Sequence, residues 1–183
     1  MDTFTITPLA LPGVLLIEPK LFADNRGFFV ETYNERVLAQ HGIETKFVQD
    51  SLSYSTRGVI RGLHRQKSRL AQAKLVRCTF GEVFDVIADS DLQSPTYGQH
   101  VSVILKGKEA QMVYIPEGYV HGFCVVSECA FFEYKVSDSY HPEYATGVRY
   151  DDPLFSIAWP TAQPILSEQD KAWPSVDSIA PTP

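Results

Sequence analysis

Hydrophobic positions along this chain recur at every second residue rather than every third or fourth, the period of strands that bury one face. Val83 to Ala88 and Val101 to Leu105 are short runs rich in β-branched and aromatic side chains. Gln111 to Ile115, Gly122 to Val126 and Ala130 to Val136 follow at similar spacing. Turn-forming residues stand between them: Ser94-Pro95 with Gly98, Gly107, Pro116-Glu117-Gly118 and Ser127-Glu128. Short strands about ten residues apart predict an all-β chain, an antiparallel sandwich or barrel. Helical signal is sparse. Asn34 to His41 predicts about two turns, with Asn34 as N-cap and Gly42 as the stop. Ser167 to Ala172 predicts a second short helix capped by Ser167.

The 183 residues suffice for one domain with a sizeable core, and no repeat or linker divides them. Residues 1–183 therefore read as a single domain, with 174–183, which holds three prolines, as a loosely ordered tail. A net charge of −6 argues against a broad nucleic-acid-binding face, although a few converging Arg and Lys residues still allow a phosphorylated ligand. The apolar stretch from Leu9 to Ile17 is broken by Pro12 and Gly13, too short for a signal peptide or a membrane span. Cys78, Cys124 and Cys129 are odd in number and form no CxxC pair, so they read as apolar fillers in a reducing, cytoplasmic compartment.

Chemistry-bearing candidates begin with the histidines. His41, His100 and His141 read as ordinary core or surface residues. His64 follows an apolar strand in Arg61-Gly62-Leu63-His64-Arg65-Gln66, flanked by two arginines. His121 closes Pro116-Glu117-Gly118-Tyr119-Val120-His121, which resembles the second motif of cupins, small double-sheet barrels whose histidine here often binds a metal. A cupin metal site also needs a His-x-His pair, and this chain has His64-Arg65-Gln66. Two arginines beside the remaining histidine would repel a dication, so the expectation is a cupin-like barrel with no metal.

Nine blocks together resemble the dTDP-4-dehydrorhamnose 3,5-epimerases, from about Gly13 to Pro174. They are residues 19–31, Phe47-Val48-Gln49-Asp50, Arg61 to Gln66, Gln72 to Arg77, Gly81 to Val86, Ser94 to Gly98, Ile115 to Phe123, Asp151-Asp152-Pro153 and Leu166 to Asp170. Their order along the chain makes the signal specific. The resemblance implies a cupin-like jelly roll and an isomerase, which inverts C3, C5 or both in a dTDP-4-keto-6-deoxyhexose during deoxysugar biosynthesis. It implies His64 as general base, Asp170 as the partner orienting it, Tyr134 as the acid on the opposite face, and Lys74 as stabiliser of the enolate. Substrate binding would fall to Phe22, Arg26, Gln49, Asp50, Ser51 and Arg61, with Glu31 acting from a neighbouring subunit, Tyr140 stacking on the base and His121 lining the pocket. A homodimer is implied in the same way, and no cofactor; the absence of a Gly-rich dinucleotide fingerprint agrees with the latter.

Those residue types suit the reaction. Histidine titrates near neutrality and serves as a base without an extreme shift. A buried cation stabilises an enolate where solvent is excluded, and arginine's planar fork matches a diphosphate. Four positions depart from the family pattern: Ser51 replaces an asparagine, Gln169 a basic residue and Ala145 a glutamate, and Asp89-Ser90-Asp91-Leu92-Gln93 lacks an arginine. The first three fall where sugar or nucleotide would be held, so reaction class is better specified than sugar identity. Three rivals follow: a monoepimerase on a related nucleotide deoxysugar, a metal-dependent cupin enzyme, and a non-catalytic sugar-binding barrel.

Overall fold

The computed structural model describes residues 3–178. The first strands are β1 (Phe4–Pro8), β2 (Leu15–Pro19), β3 (Leu21–Asp24) and β4 (Gly27–Val30), followed by helix α1 (Glu35–Gln40). Then come β5 (Gln49–Thr56), β6 (Ile60–Gln66), β7 (Lys74–Phe80), β8 (Glu82–Ala88) and β9 (His100–Lys106). The chain continues through β10 (Met112–Ile115), β11 (Val120–Val125), β12 (Cys129–Val136), β13 (Ala145–Gly147) and helix α2 (Glu168–Ala172). The period-two runs thus become strands, with bounds that shift by a residue or two: β8, β9 and β12 are longer than the runs, β10 starts one residue later, and β11 starts two residues earlier and ends one earlier.

Two large antiparallel sheets result, one ordered β1-β2-β10-β7-β12-β5 and the other β13-β6-β11-β8-β9, and β3 and β4 pair apart from them. Apart from β1–β2 and β8–β9, neighbours in the two large sheets are not consecutive in sequence, the winding expected of a jelly roll. The apolar core lies between the sheets. Val76, Val113, Ile115 and Phe132 from the first meet Val83, Ile87, Leu105, Phe123 and Val125 from the second. On β12, Ala130, Phe132 and Val136 are buried and Tyr134 half-buried, while Phe131, Glu133 and Lys135 face outward. There Glu133 accepts two hydrogen bonds from Arg77 on β7, 2.6 and 2.8 Å long.

Both helices carry the expected caps. Asn34 Oδ1 accepts from the Val37 N–H at 3.3 Å, and Gly42 leaves α1 with φ of 82°. Ser167 Oγ accepts from the Asp170 N–H at 3.0 Å and starts α2. None of the described helices is long and apolar enough to cross a membrane. The C-terminal segment departs from expectation. Buried Asp152 Oδ2 accepts from Ser175 Oγ at 2.7 Å and from the Val176 N–H at 2.9 Å, and Val176 joins a core cluster. Residues 174–178 are therefore docked, because a buried carboxylate needs donors and Val176 has an apolar slot to fill; 179–183 lie outside the described residues.

One irregularity positions the site. Along the β6–β11 pair His121 faces His64 and Phe123 faces Arg61, so β6 carries an extra residue. Gly62 makes this possible: its φ is 121°, and a Cβ there would lie 2.5 Å from Gly122 Cα. On a regular strand residues 61 and 64 would point to opposite faces. The bulge lets Arg61 and His64 line the same cavity.

Candidate active site

A cavity of about 350 Å³ opens between the sheets at the end where β6, β7, β11 and β12 meet α2. His64 and Arg61 enter it from β6, Lys74 from β7, His121 from β11, Tyr134 from β12 and Asp170 from α2. Tyr134 and His64 rise from opposite sheets, so they flank whatever occupies the cavity. Lys74, Asp170 and His121 are buried; the His64 side chain keeps 42% of its exposure on the cavity side.

The electrostatics follow from this packing. Burial is the main force pushing His64 down to about 3, and the charges of Lys74, His121 and Arg61 add to it. His64 is thus a neutral imidazole across the physiological range, able to accept a proton. Its Nε2 stands 4.0 Å from Asp170 Oδ1, while Asp170 Oδ2 accepts from Ser167 Oγ at 2.7 Å. Burial lowers Lys74 to about 8, and the nearby Asp85 carboxylate counteracts part of that fall. Lys74 Nζ donates to the His64 carbonyl at 3.4 Å, a long bond that leaves the ammonium underused. His121 Nε2 lies 2.7 Å from Asp85 Oδ1, and its ring stacks on Phe132 at 6.0 Å.

A second recess of about 240 Å³ shares Gln72, Tyr134, Val136 and Tyr140 with the first and adds Gln49 and Ser51. Exposed Tyr140 is held over it, its N–H donating to Gln49 Oε1 at 3.1 Å. Gln66 braces the same loop. Its Nε2 donates to Leu70 O at 2.9 Å and Ser139 O at 3.1 Å, and its Oε1 accepts from the His141 N–H. No cluster of three or more His, Cys, Asp or Glu suited to a metal ion occurs among the described residues.

The family pattern fits this geometry over almost the whole chain. The sequence model described as dTDP-4-dehydrorhamnose 3,5-epimerase matches residues 8–178. A dTDP-4-dehydrorhamnose 3,5-epimerase of Pseudomonas aeruginosa is 48% identical over 167 residues, 90% of this chain and 92% of that protein. The chain belongs to the dTDP-4-dehydrorhamnose 3,5-epimerase family. Among solved structures, the dTDP-6-deoxy-D-glucose-3,5-epimerase of Legionella pneumophila, in complex with dTDP-4-keto-L-rhamnose, superposes with a TM-score of 0.92 at 44% identity, covering 97% of this chain and 95% of that one. A dTDP-4-dehydrorhamnose 3-epimerase of Streptomyces niveus is 40% identical over 167 residues, 91% of this chain and 81% of that protein. The family is one of isomerases in deoxysugar biosynthesis, and the cupin-like barrel is its fold.

Within this epimerase family member, four of the residues assigned to binding stand apart from the cavity lining. Phe22 and Arg26 sit on the β3–β4 hairpin, a two-stranded sheet of its own, where Arg26 pairs with Asp24 and Phe29 is 70% exposed. Glu31 accepts from Thr3 Oγ1 at 3.0 Å. Asp50 points outward on β5 and accepts from Lys135 Nζ at 2.8 and 2.9 Å, because alternation gives the inner face to Gln49, Ser51, Ser53 and Ser55. Sequence reasoning missed Ser53, Arg65, Gln72, Phe123, Phe132 and Trp173, which also line the cavity. The small polar residues at alternate positions of Gln49 to Ser55 were the available signal for Ser53. Ala145 and Gln169, two of the departures from the family pattern, line the cavity too.

Proposed function

We propose that this protein epimerises a dTDP-4-keto-6-deoxyhexose, with His64 as base and Tyr134 as acid. His64 takes the proton from the carbon beside the ketone, and the electron pair moves onto the ketone oxygen. Lys74, as ammonium, stabilises the resulting enolate. Tyr134 returns a proton to the opposite face of that carbon, and a single base could not do this, since it would replace the proton where it found it. The observation that carries this reading is that His64 and Tyr134 line one cavity from opposite sheets, with buried Lys74 also in its lining. Arg61 and Tyr140 would hold the diphosphate and the base, with Gln49 and Ser51 beneath them and His121 lining the sugar end.

The protein acts as a homodimer in this reading. Phe22, Phe28 and Phe29 on the β3–β4 hairpin are exposed, and so is Leu52 on edge strand β5, a combination that favours pairing with a second copy. Arg26, Glu31 and Asp50 would then serve a site completed by the partner. Three free cysteines and a nucleotide-sugar substrate suit the cytoplasm.

Proton NMR of dTDP-4-keto-6-deoxyglucose in heavy water, with metal-stripped protein, tests the proposal. Deuterium at both C3 and C5 with inverted configuration is the expected result. Deuterium at one carbon would make the protein a monoepimerase, the activity for which its Streptomyces niveus relative is named. No exchange at either carbon would sink the assignment.

A further inference from the structure

Asp85 is a fully buried carboxylate that the proposed reaction leaves without a role. It sits in the middle of β8, opposite Phe123 on β11 and Val103 on β9, with its side chain turned into the barrel. Oδ1 is 2.7 Å from His121 Nε2, and Oδ2 finds no hydrogen-bond partner among the described residues. An apolar residue of similar volume would avoid the desolvation of that orphaned oxygen, so packing alone gives no reason for an acid here. The titratable groups around it are His121 from β11 and Lys74 and Cys78 from β7, of which His121 and Lys74 line the cavity.

We propose that Asp85 is a positioning residue with two tasks. It holds the His121 ring with its Nε2 proton turned to the barrel wall, so that Nδ1 is the nitrogen offered to the substrate. It also serves as the buried counter-charge that keeps Lys74 an ammonium. This rests on the reading of Lys74 as stabiliser of the enolate.

The first task follows from valence. A carboxylate oxygen only accepts, so Nε2 carries the shared proton whether the ring is neutral or charged. The ring cannot turn over without breaking a buried, charge-assisted bond. The second follows from burial. Lys74 is already lowered to about 8 by loss of solvent, and Asp85 is the group that opposes the fall. Asp170 on α2 is also acidic and lines the cavity, but its Oδ2 is engaged by Ser167 and its Oδ1 faces His64.

The test is the variant Asp85→Asn, read in three ways. The pH dependence of kcat should lose its alkaline limb at a pH lower by about 1 than in the wild type, the scale of one nearby charge. NMR titration of ¹³C-labelled lysine in the resting protein should show Lys74 deprotonating at correspondingly lower pH. In the wild type, ¹⁵N-labelled histidine should show His121 protonated at Nε2 from pH 6 to 9. An unchanged alkaline limb with an unchanged Lys74 titration would overturn the counter-charge role, since a purely structural defect lowers kcat without moving the limb. A His121 signal from the Nδ1-protonated tautomer would overturn the positioning role, and that spectrum needs no variant to fold. If the wild type shows no exchange activity the catalytic reading fails, yet the two NMR titrations still decide what Asp85 does.

Discussion

His64 Nε2 and Asp170 Oδ1 are 4.0 Å apart, an ion-pair separation without a hydrogen bond. Ser167 fixes the other oxygen of Asp170 at 2.7 Å, so the carboxylate is held still while the half-open imidazole retains room to turn toward it. In the proposed reaction Asp170 would orient the ring and favour its protonated form as substrate arrives. His64→Ala should lower kcat by about 10²–10⁴-fold, the contribution of a positioned base. Asp170→Asn should cost less, with KM little changed. Steady-state kinetics on both variants decide it; equal losses would mean that Asp170 is as indispensable as the base itself.

Tyr134 stands on the inner face of β12, across the cavity from His64. Removing its hydroxyl leaves the base and Lys74 in place. Tyr134→Phe should therefore still exchange substrate hydrogen with heavy water while forming inverted product at least about tenfold more slowly, the lower range being set by solvent acting as a poor acid. NMR separates the two readouts in one tube. Loss of exchange together with inversion would remove Tyr134 from the acid role.

Much of this architecture was legible because strand alternation is a local property. Residues 130–136 declare which side faces inward from sequence alone, and Asn34 and Ser167 announce their helices through cap chemistry that acts over three residues. The juxtaposition of His64 with Tyr134 was legible only through the family resemblance, since it depends on two sheets meeting. Asp50 shows the limit from the other side: it belongs to a family block, yet its register opposite Lys135 on β12 turns it outward. The docking of Val176 was invisible because its partner Asp152 lies 24 residues earlier and neither residue has a local signature.

His64 also makes stability depend on pH. Its folded value of about 3 lies below the ordinary 6.5, so between those limits the unfolded chain binds more protons than the folded one. The stability contributed by neutral His64 is present above pH 6.5 and is lost as pH falls toward 3. His64→Gln should flatten the fall of denaturation midpoint between pH 6.5 and 4 relative to wild type. Parallel curves for the two proteins would show that His64 is well solvated in the folded state.

Lys74 carries the clearest conflict between stability and activity. A lysine held near pH 8 instead of 10.5 destabilises the folded state below pH 8, and that penalty fades as pH rises toward 10.5. At neutral pH the cost is about 3 kcal/mol for so buried an ammonium. Lys74→Met keeps an apolar stem beside Val136, its buried partner on β12, while removing the charge. The variant should melt several degrees higher at pH 7, with the advantage shrinking above pH 8, and should lose most of its turnover because the enolate has no cation beside it. Calorimetry at pH 7 and 9 alongside kcat tests both halves. A Lys74→Met protein that melts lower than wild type would show that the ammonium is paired well enough in the cavity to stabilise the fold, and the conflict would not exist.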